Sequence, residues 1–93
     1  MKKITIDFSL CKHPLDLHKE LKEKLNFPEW YGNNLDALWD MLTGFIETPI
    51  DITLIFKSET SASQNVKDIV LQIAEIFEEA TKTEVEISFK AIM

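Results

Sequence analysis

Three stretches of alternating apolar and polar residues, each separated from the next by sequence with helical periodicity, constrain this fold more than any other feature. They are KITIDF (3–8), IDITLIF (50–56) and EVEISFKAI (84–92), and such alternation is typical of half-buried strands. Strands separated by helices favour parallel pairing, and crossover connections are right-handed in nearly all cases. If the three strands lie in sequence order, all helices therefore pack on the same face of the sheet.

The opposite face of such a sheet should be polar, and the strand sequences agree. Its predicted members, with Ile55 as the apolar exception, are Lys3, Thr5, Asp7, Asp51, Thr53, Glu84, Glu86, Ser88 and Lys90. A chain of 93 residues corresponds to one small domain. We therefore predict a single α/β domain over residues 1–93: two layers, with a three-stranded parallel sheet and helices packed on one face, not a doubly wound fold.

Three segments have the periodicity of amphipathic helices. Pro14 suits the first turn of the first one, which continues with leucines at every fourth position, namely Leu17, Leu21 and Leu25. Residues 26–34 then predict a loop. The last helix is predicted over 66–80, after a polar loop over 57–65 that has room for a short helical turn. Its inward residues are predicted to be Ile69, Ile73, Ile76, Phe77 and Ala80.

The middle helix belongs to the stretch PEWYGNNLDALWDMLTG (28–44). Asn33 or Asn34 can cap its beginning, and Gly44 can end it. At 100° per residue, one apolar face contains Leu35, Leu38, Leu42, Phe45 and Ile46. A second face contains Asp36, Asp40, Thr43 and Glu47, and Trp39 lies on the boundary between the two faces.

The two aspartates of this helix are hard to explain by stability alone. Asp has poor helix propensity, and like charges four residues apart repel. The helix macrodipole favours Asp36 in the first turn, but Asp40 lies in the second turn with no lysine at 43, 44 or 47. No lysine occurs between Lys24 and Lys57, so the middle of the chain is purely acidic. We therefore expect a surface that binds something cationic.

Aromatic residues surround this acidic pair in the sequence. Trp30, Tyr31 and Trp39 next to an acidic patch match the composition of a protein interface hot spot. Trp39 is equally compatible with a half-buried core position. Gly32 would let a partner approach the backbone closely, although a turn requirement explains it as well. His18 is interpreted as a helix-surface or packing residue.

Composition excludes several functional classes. The net charge is −6 and all ten basic residues are lysines, so we expect no binding to nucleic acid or to anionic membranes. Cys11 is the only cysteine, which rules out an intramolecular disulfide. We read no signal peptide and no membrane span, so the expected location is the cytoplasm.

A metal-dependent hydrolase using Asp36 and Asp40 stays as an alternative, but paired carboxylates are unspecific. We expect no enzymatic activity, no metal and no cofactor.

Residues 15–49 resemble the barstar family of intracellular ribonuclease inhibitors. The matching segments are DLH (16–18), Pro28-Glu29, Tyr31-Gly32, NLDALWD (34–40) and LTG (42–44). The order of strands and helices also agrees over the whole chain. The resemblance implies a three-stranded parallel sheet with helices packed on it. It also implies that the second helix and the preceding loop plug the active site of a secreted ribonuclease of the barnase type, with the inhibitor acting as a monomer.

The resemblance assigns partner contacts residue by residue. Asp40 matches a residue that occupies a phosphate-binding position of the nuclease, and Asp36 one that meets other basic groups. The remaining matches, with Glu79 aligned only loosely, are Trp30, Tyr31, Gly32, Asn34, Trp39, Thr43, Gly44 and Glu79. Three positions depart from the pattern, because Trp30 replaces a Tyr, Met41 a Cys and Phe45 a Trp. These departures put the identity of the partner in question, so the alternative is a barstar-like protein that binds a different toxin or a partner that is not a nuclease.

Overall fold

A computed structural model of the chain describes residues 2–57, 64–83 and 86–93. The elements, in chain order, are β1 (Lys2–Asp7), α1 (Pro14–Leu25), α2 (Leu35–Gly44), β2 (Ile50–Ile55), α3 (Gln64–Thr83) and β3 (Ile87–Ile92). The predicted order of strands and helices is confirmed. The predictions for Glu84, Val85 and most of the loop between β2 and α3 lie outside the described residues.

The strands lie side by side in the order β1-β2-β3, and both pairs are parallel. Ile4, Ile52 and Phe89 are in register across the sheet and face the helices. One position earlier along each strand, Lys3, Asp51 and Ser88 form the matching row on the outer face. The predicted three-stranded parallel sheet with a polar outer face is therefore present among the described residues. Ile55, the apolar exception, is half-buried beside Ile92.

A single hydrophobic core lies between the inner face of the sheet and the helices. α1 packs on β1 and α3 packs on β3, whereas α2 packs mainly against α3. Fully buried side chains come from β1, β2 and all three helices, including Ile6, Leu17, Leu38, Leu54 and Phe77. Burial of one such side chain stabilises the fold by about 1.5–3 kcal/mol. Because α2 lies over α3 and not directly on the strands, its outer side is open to solvent.

The two ends of α1 are fixed by local hydrogen bonds. At the start, the carboxylate of Asp16 accepts hydrogen bonds from the backbone N–H groups of Lys12 (3.2 Å) and His13 (3.1 Å). At the other end, Asn26 adopts the left-handed conformation with φ 57° and donates its N–H to the carbonyl of Lys22. Asn tolerates this conformation better than most residues. The chain is thereby turned out of the helix where the 26–34 loop begins.

Two side chains near the end of α2 differ from the expected apolar face. Met41 is buried and belongs to the hydrophobic core, although it was not assigned to that face. Phe45 is 44% exposed, since it follows the last helical residue and no longer obeys the helical periodicity. The prediction that Phe45 belongs to the core-facing side is therefore wrong. No helix in the described part of the chain is long and apolar enough to span a membrane.

Candidate partner-binding surface

Asn34 joins the 26–34 loop to α2 through both ends of its side-chain amide. The amide oxygen accepts a hydrogen bond from the backbone N–H of Ala37 at 2.7 Å, which caps the helix. The amide nitrogen donates to the carbonyl of Gly32 at 3.2 Å. Of the two predicted caps, Asn34 is thus the one used, and it fixes the loop relative to the helix that follows it.

A β-carbon at Gly32 would be crowded by its neighbours, whereas the backbone angles of this residue are ordinary. A β-carbon at this position would lie 3.3 Å from the β-carbon of Ala37 and 3.3 Å from the amide nitrogen of Asn34. The left-handed residue of this turn is its neighbour Asn33, with φ 53°, and no described glycine has a positive φ. Gly32 itself is exposed, so its backbone is accessible from solvent.

The acidic side of α2 is open and unneutralised. Asp36 and Asp40 are both exposed, as predicted. Within residues 2–57, 64–83 and 86–93, neither carboxylate takes part in a salt bridge. Thr43 is half-buried, and its hydroxyl donates to the backbone carbonyl of Trp39 at 2.8 Å. The helix ends at Gly44, which is exposed, and a β-carbon at this position would point into open space.

An exposed aromatic pair forms where the loop before α2 meets the residue that follows this helix. Trp30 is 70% exposed, and its ring meets that of Phe45 edge to face, with centroids 6.3 Å apart and planes at 84°. Phe27 lies behind Phe45 at 6.5 Å and contacts Tyr31 at 4.8 Å. Sequence reasoning missed Phe45 as a surface residue. Its position just beyond Gly44, where the helix was expected to end, is the signal that could have identified it.

Tyr31 points inward and not toward solvent. It is only 4% exposed, and its hydroxyl lies 2.8 Å from Nδ1 of His18, which is itself buried. The expectation of an exposed Trp30–Tyr31 cluster is therefore wrong for Tyr31. Burial lowers the pKa of His18 and raises the pKa of Tyr31, so both groups stay neutral near pH 7. The interpretation of His18 as a packing residue is confirmed, whereas a partner contact by Tyr31 stays a prediction.

A groove of about 460 Å³ runs between α2 and α3. It has an apolar floor and an acidic rim, and its lining consists of Leu35, Asp36, Trp39, Gln72, Glu75, Ile76 and Glu79. Trp39 is half-buried and packs against the core, so its interpretation as a half-buried core residue is confirmed, whereas its role in an interface stays a prediction. Glu79, aligned loosely from the sequence, lies on the same groove as Asp36, with Lys82 3.5 Å from its carboxylate.

The groove also contains acidic and polar residues that the sequence reasoning did not select. Glu75 and Gln72 lie on the exposed side of α3 and face the same space as Asp36. Their positions one helical turn before Glu79 and Ile76 would have indicated this shared side. The groove is thus bordered by three carboxylates from two helices, a composition suited to a cationic side chain with an apolar stem.

The described residues offer little for catalysis. No group of three His, Cys, Asp or Glu side chains among them is placed to hold a metal ion. Cys11 is buried, and its pKa is raised to about 11, first by burial and then by Glu20, Asp16 and Asp7. A thiol of that pKa is protonated at neutral pH and is a poor nucleophile. What these elements offer is negative charge on the exposed side of α2 and the exposed rings of Trp30 and Phe45.

Two comparisons with known proteins show what the whole chain is similar to. The family model described as "Barstar (barnase inhibitor)" matches residues 1–93. A protein of Bacillus subtilis (strain 168) named "Putative ribonuclease inhibitor YrdF" is 40% identical over 88 residues. That match covers 94% of this chain and 97% of the relative.

Proposed function

This chain belongs to the barstar family, and on that premise we propose that it is a non-catalytic inhibitor of a ribonuclease. The observation that carries the proposal is the exposed, unneutralised pair Asp36 and Asp40 on the open side of α2. A ribonuclease active site must be cationic to hold the phosphates of RNA. Two carboxylates on a rigid helix can take the place of those phosphates and block the site.

The exposed aromatic pair supplies the apolar part of the interface. Trp30 and Phe45 lie at the far end of α2 from its cap and would cover the nuclease surface next to the blocked phosphate sites. Aromatic side chains of this kind dominate interface energies because they bury a large area with little loss of entropy. Among the family-matched contacts, Gly32, Asn34, Thr43 and Gly44 would present backbone and small polar groups around the aspartates.

The groove between α2 and α3 would take a further basic side chain of the nuclease. Trp39 and Ile76 would contact its aliphatic stem, and Asp36, Glu75 and Glu79 would surround its charge. In this arrangement Glu79 is the contribution of the last helix, as the family resemblance implies. Glu75 would strengthen the same negative potential.

We also propose the finer features of this function. The target would be a secreted nuclease of the barnase type, bound one to one by a monomeric inhibitor. The inhibitor would act in the cytoplasm, where a nuclease that stayed inside the cell would otherwise degrade RNA. The net charge of −6 would speed encounter with a basic nuclease by electrostatic steering, a behaviour for which the barnase–barstar pair is the standard example.

The second candidate is a partner other than barnase itself, and one observation favours it. Of the three departures from the family pattern, Met41 is buried and cannot touch a partner directly. The other two, Trp30 and Phe45, are exposed and contact each other. The two departures that lie on the surface therefore fall in one patch, as expected if that patch is adapted to a different nuclease or toxin.

Inhibition of RNA cleavage tests the proposal. A barnase-type ribonuclease would be assayed on RNA with increasing amounts of this protein, of an Asp36→Asn/Asp40→Asn variant and of Glu23→Gln. Glu23 is an exposed carboxylate on α1, and its substitution is the control for the loss of a surface charge outside α2. We expect stoichiometric inhibition by the unaltered protein and by the Glu23 variant, and a large loss for the double variant. Absence of inhibition would refute the barnase-type target, and Mg²⁺ or Mn²⁺ binding in calorimetry would revive the hydrolase alternative.

A further inference from the structure

A buried polar pair connects α1 to the loop that precedes α2. His18 on α1 is 5% exposed and Tyr31 is 4% exposed, and a hydrogen bond of 2.8 Å joins the imidazole Nδ1 to the phenol oxygen. Their ring centroids are 5.7 Å apart. Among the described side-chain to side-chain hydrogen bonds, this one is buried, whereas Lys22–Glu29 and Gln64–Asp68 are exposed. The proposed inhibition rests on Asp36, Asp40 and the exposed aromatic pair, and a direct partner contact by the Tyr31 backbone or ring stays a separate prediction.

Tyr31 organises the part of the loop that carries Trp30. Its backbone N–H donates to the carbonyl of Pro28 at 3.0 Å and closes a tight turn over 28–31. Its ring packs against Phe27, which lies just before that turn. Trp30, between these anchor points, projects outward and is 70% exposed. The direction of Trp30 therefore depends on where Tyr31 is held.

We propose that His18 is a positioning residue for the partner-binding loop, and that its hydrogen bond to Tyr31 holds residues 26–34 in the conformation that presents Trp30. The effect on a partner rests on the proposed function, whereas the effect on the loop does not. His18 itself touches no partner, because it lies beneath the loop.

The ion pair between Lys22 on α1 and Glu29 in the loop cannot hold the loop in one conformation in the same way. Lys22 contacts Glu29 at 3.1 Å, but the Glu29 side chain is 97% exposed. An ion pair in that setting is screened by water and salt and contributes little order. The Asn34 amide fixes the far end of the loop to α2. Phe27 is buried at the near end of the loop, and its backbone N–H donates to the carbonyl of Lys22 at 2.9 Å. The His18–Tyr31 bond is thus the buried side-chain hydrogen bond that attaches the middle of the loop to α1.

Removal of the Tyr31 hydroxyl is the sharpest perturbation. Tyr31→Phe keeps the ring and its contact with Phe27 but leaves a buried imidazole nitrogen without its partner, which is unfavourable. His18→Leu removes the same bond from the other side. His18→Asn keeps a polar atom at the δ position and should largely restore the bond. Val70→Ala, a buried change on α3 away from the loop, is the control for a general loss of stability.

Amide hydrogen exchange in the free protein measures the order of the loop. We expect Tyr31→Phe and His18→Leu to speed exchange at the backbone N–H of residue 31 and its loop neighbours by about tenfold, the factor expected for one lost hydrogen bond. His18→Asn should recover most of this protection. Val70→Ala should speed exchange in the sheet but not selectively in the loop. The proposal would be overturned if Tyr31→Phe accelerated amide exchange in the loop and in the sheet by the same factor. It would also be overturned if Val70→Ala accelerated exchange in the loop as much as Tyr31→Phe does.

Binding of a barnase-type ribonuclease supplies the second readout. Tyr31→Phe should weaken binding about tenfold relative to Val70→Ala, and His18→Asn should lie close to the unaltered protein. If the unaltered protein does not bind the nuclease, the proposed function fails, and the exchange experiment alone decides whether His18 positions the loop. If the nuclease binds Tyr31→Phe as tightly as Val70→Ala, His18 has no positioning role in recognition.

Discussion

Trp30 and Phe45 meet edge to face with their ring centroids 6.3 Å apart, although one belongs to the loop before α2 and the other follows the end of that helix. Both rings stay exposed. Each therefore supports the other's orientation on the surface, in the geometry that aromatic pairs prefer.

This contact predicts that Trp30→Ala and Phe45→Ala have non-additive effects on partner affinity. Loss of either ring frees the other, so the double variant should lose less affinity than the sum of the two single variants, by about 0.5–1.5 kcal/mol. Titration calorimetry of the four proteins with the nuclease completes the cycle. Leu71→Ala removes an exposed apolar side chain on α3 and is the control for a general loss of surface hydrophobicity. Strict additivity of the two aromatic substitutions would show that the rings act independently.

Asp40→Ala should weaken partner binding more than any other single alanine substitution in the domain. The carboxylate is exposed and forms no salt bridge within the described chain, so its loss should change the free energy of unfolding by less than about 1 kcal/mol. Binding titrations and urea melts measure the two effects. Glu23→Ala removes an equally exposed carboxylate from α1, and a smaller binding loss for Asp40→Ala than for this control would contradict the assignment.

Raising the salt concentration should slow association far more than it speeds dissociation. The acidic surface acts on the long-range approach of a basic partner, and the Debye length falls to about 3 Å in 1 M salt. Charges at the rim of an interface mainly set the association rate. Stopped-flow mixing at low and high ionic strength gives both rate constants. A salt-independent association rate would mean that steering by Asp36 and its neighbours is absent.

Leu38→Ala and Trp39→Ala should separate folding from binding. Leu38 is fully buried, so its truncation leaves a cavity and costs about 2–5 kcal/mol of unfolding free energy. Trp39 is half-buried and lines the groove, so its removal should cost less stability and more affinity. Urea melts paired with binding titrations resolve the two quantities. If Trp39→Ala unfolds the protein as readily as Leu38→Ala, Trp39 acts as a core residue.

The stability of the fold should decrease as the pH falls below about 6.5. Burial lowers the pKa of His18 below its ordinary value, so between the folded and the unfolded pKa the unfolded chain binds more protons. The stabilisation that neutral His18 gives the folded state is complete above about pH 6.5. It is lost progressively as the pH falls through the pKa of His18 in the folded state. Urea melts at several pH values should therefore show a steeper acid loss for the unaltered protein than for His18→Asn. Parallel pH profiles for the two proteins would assign the loss to other groups.

The sheet and the helix order could be predicted because each strand shows its own alternation and each helix its own period. Asn34 and Gly44 marked the bounds of α2 through residue chemistry alone. Helical periodicity predicts the orientation of a side chain only within the helix. Phe45 lies one residue beyond the end of α2, so the apolar face of the helix does not extend to it. α3 begins two residues before the predicted start and extends three beyond the predicted end, because polar residues at helix ends carry no apolar pattern.

The orientation of Tyr31 could not be predicted because it depends on a partner distant in sequence. A loop has no period that separates inward from outward side chains, and Tyr is as common at interfaces as in half-buried positions. The imidazole of His18 makes burial of the phenol favourable by satisfying its hydroxyl. The groove between α2 and α3 likewise required the packing of the two helices, which places Glu75 opposite Asp36.

The uncovered outer face of the sheet has a practical consequence. Its exposed polar side chains, among them Thr5, Ser88 and Lys90, lie on the side of the domain away from the helices. The chain has one cysteine, Cys11, and it is buried with a raised pKa. A thiol introduced by Ser88→Cys would thus be the reactive one, and the domain could be tethered to a sensor chip or fused to a reporter through its back, with α2 facing the solution.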